Sequence, residues 1–148
     1  MTDAMMAETR PAEAEAAERL VLHVGCGAPN PDKVPAAFFP RGEWRELRLD
    51  IDPEVQPDIE SSITDMAAVA DGSVDAVWSS HNLEHLEPHE VSVAMAEFFR
   101  VIKPGGFAVV TVPDLQQVAT LIAEGKLEDA AYMSAMGPIG RASCRERV

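Results

Sequence analysis

The sequence predicts an α/β domain built on a doubly wound, mostly parallel sheet. Three observations carry this. Short apolar runs of strand length alternate with segments of helical periodicity. The first run ends in a glycine turn, Gly25-Cys26-Gly27. The second ends in an acid, Asp50, at the roughly twenty-residue spacing that lets glycine turn and acid share one ligand.

Each element follows from its residues. Residues 1–10 read as flexible. Residues 11–19, PAEAEAAER, open on Pro11 and continue in good helix formers, which predicts a short helix. LVLHV at 20–24 is a buried strand, and GCGAPNP is too dense in turn formers to extend it. A short helix is expected over 31–39, after Pro31 and interrupted by Pro35. WRELRLDI at 44–51 alternates as a second strand. Asp58 and Ile59 mark a short edge strand, and VDAVWSS at 74–80 is a clear strand. EPHEVSVAMAEFFRVI at 87–102 is the strongest helix. Val91, Ala94, Phe98 and Val101 recur at helical spacing, with Met95, Phe99 and Ile102 beside them. KPGG stops it, and FAVVTV at 107–112 is the fifth strand. DLQQVATLIAE at 114–124 is a helix capped by Asp114 and ended by Gly125. The expected division is a flexible or short helical segment over 1–18, a ligand-binding core over 19–126 and an irregular tail over 127–148.

Composition narrows the function classes. A chain of 148 residues, 47% hydrophobic, suits one domain with one core. No apolar run is long enough to span a bilayer, and the N-terminus carries no secretory signal pattern. Cys26 and Cys144 make neither a disulfide framework nor a zinc cluster, so a cytoplasmic location is expected. The formal charge of −13, from 12 basic and 25 acidic residues, repels nucleic acid and anionic membrane. A small molecule or a basic protein fits better.

Four segments carry candidate chemistry. Gly25 and Gly27 let the backbone turn sharply and approach a ligand, although an ordinary strand-to-loop turn has the same composition. The turn lacks the third glycine of the dinucleotide fingerprint and the Gly-Lys-Ser/Thr ending of a phosphate loop. Asp50 can accept from both hydroxyls of a ribose, with Asp52 as the fallback. In SSITDM at 61–66, Thr64 or Asp65 can meet an adenine amino group or cap a helix. In SSHNLEHL at 79–86, His81, Asn82, Glu84 and His85 lie over the same cleft or begin a polar helix, and a histidine there can act as a base near neutral pH.

Together these segments resemble the class I S-adenosylmethionine-dependent methyltransferases. LHVGCG is similar to their first motif and LDIDPE to the acidic motif of strand two. ITDMAAVADGSVDAVWSSHNLEHL resembles the approach to strand four and the loop after it. EFFRVIKPGGFAVVTVPDL resembles their helix, turn and fifth strand. The resemblance runs from residue 19 to about 123 and implies a Rossmann-like core. It implies S-adenosylmethionine as cofactor, held by Gly25, Cys26, Gly27, Asp50, Ile51, Thr64, Asp65, Met66, Ser80 and His81, with Ile63 alongside. Two departures stand out: His23 replaces an acid common before the glycines, and Ala28-Pro29-Asn30 replaces the third glycine.

The sulfonium already activates the methyl group, so the protein has to supply position and desolvation. If the acceptor must lose a proton, His81 or His85 is the expected base. The sequence leaves no room for strands six and seven after FAVVTV, so a core lacking the last two strands is expected. Strand five then forms an apolar edge open to a homodimer partner. Two rival readings remain. One is a non-catalytic binding module that keeps the fold. The other is a zinc hydrolase using the H-x-x-E-H pattern of His81, Glu84 and His85.

Overall fold

The structure is a computed structural model that describes residues 18–130. One five-stranded sheet has the order β3-β2-β1-β4-β5, and every pairing is parallel. The strands are β1 (Arg19–Val24), β2 (Trp44–Asp50), β3 (Ile59–Glu60), β4 (Val74–Ser80) and β5 (Ile102–Thr111). Helix α1 (Pro88–Val101) connects β4 to β5, and α2 (Leu115–Ala123) follows β5. The doubly wound, mostly parallel α/β sheet expected from the sequence is therefore present. The expectations for residues 1–17 and 131–148 lie outside the described residues.

The central strands β1 and β4 bury both faces, which is why they read as continuous apolar runs. On one face, Leu22, Val24, Leu49, Val74 and Val77 pack against Phe98 and Val101 of α1 and against Met66 and Val69 of the β3–β4 connection. On the other, Val21, Ala76 and Trp78 pack with Phe39. Each fully buried aliphatic or aromatic side chain contributes about 1.5–3 kcal/mol.

No helix forms over residues 31–39. Proline at 31, 35 and 40 removes backbone donors, so the connection runs in turns, with the amides of Phe38 and Phe39 both donating to Pro35 O at 3.0 Å. Aromatic packing does the work of a helix on this face. The Phe39 ring meets Trp44 edge-on at 5.2 Å and stacks on Phe107 at 5.8 Å.

Helix α1 begins at Pro88, with Glu90 reaching back to the Glu87 amide at 2.9 Å. Its buried stripe is Ala94, Phe98 and Val101, narrower than the periodicity suggested, and Phe99 is 86% exposed. Strand β5 starts at Ile102, five residues before the expected 107, because KPGG pairs through a bulge opposite Val74–Ala76. A Cβ on Gly106 would stand 2.5 Å from Asp75 O, so only glycine allows that approach. Asp75 ties three strands: it accepts from the Leu20 amide at 2.8 Å and from Lys103 Nζ at 2.9 Å. Asp114 caps α2 as expected, accepting from the amides of Gln116 and Gln117. Residues 127–130 are helical and Ala130 is buried, where an irregular tail was expected.

Among the described residues β5 is the last strand on its side of the sheet, and Phe107 is 40% exposed there. No helix among them is long and apolar enough to cross a membrane.

Candidate functional site

Because all strands run parallel, their carboxyl ends share one edge. The strand order reverses between β1 and β4, and that reversal opens a crevice where ligands of such sheets bind. Gly25 and Gly27 sit there with φ of 60° and 59°. These left-handed values disfavour any side chain, and the surroundings disfavour it further. A Cβ on Gly25 would stand 2.0 Å from Asn82 Oδ1, and one on Gly27 would stand 2.8 Å from Lys33 Nζ.

The glycine turn is held from three sides. Asp50 Oδ2 accepts from the Gly27 amide at 2.7 Å, and Asp50 Oδ1 accepts from Asp52 N at 3.0 Å. Lys33 Nζ donates to Cys26 O at 2.8 Å and Ala28 O at 2.9 Å. Arg48 Nη2 donates to Gly27 O at 2.5 Å and to Val55 O at 3.0 Å, joining the loops after β1 and β2. Burial pushes the Lys33 ammonium below its ordinary value of 10.5. Burial also pushes the Cys26 thiol up to about 11, which disfavours it as a nucleophile, and the Cys26 amide donates to Leu49 O at 3.2 Å.

Beyond β2, Ile51 is 61% exposed, next to the buried Asp50. Asp52 turns back to cap the short turn Pro53–Val55 through the Glu54 amide, a local structural role. The Ser61 amide donates to Asp50 O at 2.9 Å, which brings the 61–66 segment to the same edge. Thr64 lies in a tight turn closed by Asp65 N on Ser62 O, and its hydroxyl meets Ser62 Oγ at 2.8 Å. The Asp65 carboxylate is on the exposed side of that turn. Ile63 packs against the core. The Met66 side chain is wholly buried, its amide donates to Glu97 and its carbonyl accepts from Arg100.

After β4, Ser80 Oγ accepts from Thr111 Oγ1 at 3.0 Å. His81 adopts φ of 55°, rare for a residue with a side chain, and its Nδ1 lies 3.1 Å from Glu84 Oε1. Asn82 crosses to β1, its Nδ2 donating to Val24 O at 2.9 Å and Ser79 Oγ at 3.3 Å. His85 ends a 3-10 turn, Leu83–His85, on the exposed side.

That turn corrects the zinc reading. The H-x-x-E-H pattern needs an α-helix so that both histidines share a face. Here His81 precedes a 3-10 turn in a left-handed conformation, and Glu84 is engaged by His81. Among the described residues no group of three or more His, Cys, Asp or Glu can hold a metal ion.

Gly25, Cys26, Gly27, Asp50, Ile51 and Ser80–Asn82 thus lie at or just past the carboxyl ends of β1, β2 and β4, along one edge of the sheet. His23 stands apart from them: it is buried against Trp78 and paired with Glu46 at 2.6 Å. Lys33 and Arg48 are the residues that sequence reasoning missed. The available signal was position alone, a basic residue shortly after the glycine turn and another two residues before Asp50 in an acidic chain.

Comparison with known proteins agrees with this geometry. The fold is similar to that of a crystallised S-adenosylmethionine-dependent methyltransferase from Archaeoglobus fulgidus, with a TM-score of 0.55 and 21% identity over 72% of this chain and 50% of that one. A second similar structure, assigned as an S-adenosyl-L-methionine-dependent methyltransferase, comes from Methanococcus maripaludis, with a TM-score of 0.52 and 14% identity over 78% of this chain and 58% of that one. At these identities the likeness is one of fold, and this chain spans only 50% and 58% of the lengths of the two proteins. Among curated proteins none matches. The family model described as a methyltransferase domain matches residues 22–110, from the first buried strand to the fifth, and the chain belongs to that family.

Proposed function

We propose that this chain is the cofactor-binding core of an S-adenosylmethionine-dependent methyltransferase acting on a small molecule. One observation carries the reading: a left-handed glycine turn is bonded to the strand-two acid, Gly27 N to Asp50 at 2.7 Å, where the strand order reverses. The residues present fit the cofactor. A carboxylate has about four lone-pair sites, so Asp50 can take a ribose diol while keeping Gly27 and Asp52. The exposed Ile51 offers an apolar face to an adenine, and Thr64, Asp65 and Ile63 belong to the neighbouring turn.

The bound cofactor would supply an activated methyl group. The chain's own residues would orient the acceptor and take its proton where one is lost. The Glu84 carboxylate favours the His81 tautomer with its proton on Nδ1, which puts the basicity on Nε2. His85 is the second candidate base. If replacing both histidines by alanine leaves turnover unchanged, neither is the base.

The net charge of −13 disfavours nucleic acid as acceptor. The exposed β5 edge is the surface we assign to self-association. A cytoplasmic location fits the free, buried Cys26.

A second reading is a non-catalytic module. It is favoured by the chain's own Asn82, whose side-chain amide sits against Gly25. Calorimetry separates the two. S-adenosylmethionine, S-adenosylhomocysteine and NAD are titrated into the chain and into Asp50→Asn. Micromolar binding of the first two, weakened by the substitution, is expected. A folded chain that binds none supports the non-catalytic reading, and preference for NAD overturns the methyltransferase one.

A further inference from the structure

The chain carries 25 acidic and 12 basic residues, yet two of its cations converge on the glycine turn. The side chains of Lys33 and Arg48 donate only to backbone carbonyls, and among the described residues neither cation lies within ion-pair distance of a carboxylate. The lysines and arginines that form ion pairs among the described residues, Arg19, Arg41, Arg100, Lys103 and Lys126, lie elsewhere.

The two cations differ in what they can still do. The Arg48 guanidinium holds Gly27 O, Val55 O and Gln56 O, three carbonyls from two loops, and so acts as a brace. Lys33 bonds two carbonyls, and an ammonium has a third N–H. Its position is built. The Lys33 amide closes a turn on Asn30 O at 3.1 Å, and its carbonyl accepts from the buried Trp78 indole at 3.0 Å. A half-buried ammonium, fixed at both backbone groups and standing against Gly27, is ready for an anion.

We infer that Lys33 binds the carboxylate of the cofactor's amino-acid end and makes this site selective for cofactors that carry it. The inference rests on the cofactor reading above. The loss of water around Lys33 that depresses its proton affinity is compensated once a carboxylate arrives, and charge-assisted bonds of this kind are about twice as strong as neutral ones.

The test uses the full chain and direct binding. S-adenosylmethionine and its decarboxylated analogue, which keeps the sulfonium and the amine, are titrated by calorimetry into wild type, Lys33→Met and Lys33→Arg. Wild type is expected to prefer the carboxylate-bearing ligand by about tenfold or more. Lys33→Met abolishes that preference by weakening only S-adenosylmethionine, and Lys33→Arg keeps part of it. Circular dichroism reports whether each variant is folded. Equal loss for both ligands, or no loss for either, overturns the role of Lys33 while leaving the cofactor reading standing. Should Lys33→Met not fold, either no preference between the two ligands in wild type or a preference left whole in Lys33→Arg overturns it. Binding of neither ligand by folded wild type overturns the cofactor reading and this inference with it.

Discussion

Replacing Gly25 by alanine tests whether Asn82 is the strap of the glycine turn. At φ of 60° an alanine costs about 1–2 kcal/mol in left-handed strain. Its Cβ would also stand 2.0 Å from Asn82 Oδ1, so the amide must leave. Leaving breaks the bonds from Asn82 Nδ2 to Val24 O at 2.9 Å and to Ser79 Oγ at 3.3 Å. At about 0.5–1.5 kcal/mol each, with the longer one weaker, these are worth about 1–2 kcal/mol. Gly25→Ala should therefore cost about 2–4 kcal/mol, and Asn82→Ala about 1–2 kcal/mol. In the double variant the Asn82 bonds are already lost, so its cost should match that of Gly25→Ala alone. Urea unfolding of all four proteins measures this cycle, and the coupling expected is about 1–2 kcal/mol. Additive costs would show that Asn82 keeps its place when Gly25 changes, and the strap would be refuted.

Two further predictions concern titration. In a Cys144→Ser background, Cys26 should resist iodoacetamide until the chain unfolds, because burial pushes its thiol up to about 11. Between its ordinary 9.0 and that value the folded state holds the proton that the unfolded state releases, so Cys26's contribution to stability falls as pH rises through this window, read by urea unfolding in steps of pH. On the acid side, the Leu20 amide, and then Lys103, hold the Asp75 carboxyl below its ordinary 3.8. Its contribution is complete above 3.8 and is lost as pH falls through the lowered value, so Asp75→Asn should flatten the fall of the melting temperature at acid pH.

The strands, α1 and α2 were legible because their signals are local. Leu22, Val24 and Val77 sit in short runs, and Ala94, Phe98 and Val101 recur at helical spacing. The glycine turn and Asp50 were legible for the same reason: each lies at a strand end whose length the sequence sets. What was illegible depends on partners distant in sequence. The helix expected over 31–39 gave way to turns once Phe39 found Trp44, Trp78 and Phe107. The bonds that hold the Met66 backbone were equally hidden, since Glu97 and Arg100 lie about thirty residues on. Lys33 was invisible as a site residue since its placement comes from the Trp78 indole, 45 residues away in sequence.

These distant contacts tie the placement of Lys33 to the sheet face on which Phe39 and Trp78 pack. The connection from β1 to β2 carries Lys33 and has no helical ladder of its own to fix it. Its anchors are the Trp78 indole on Lys33 O and the Phe39 ring wedged among Trp44, Trp78 and Phe107. Phe107 belongs to β5, the exposed edge. A partner covering that edge would therefore bear on the same aromatic cluster that seats the ammonium beside Gly27.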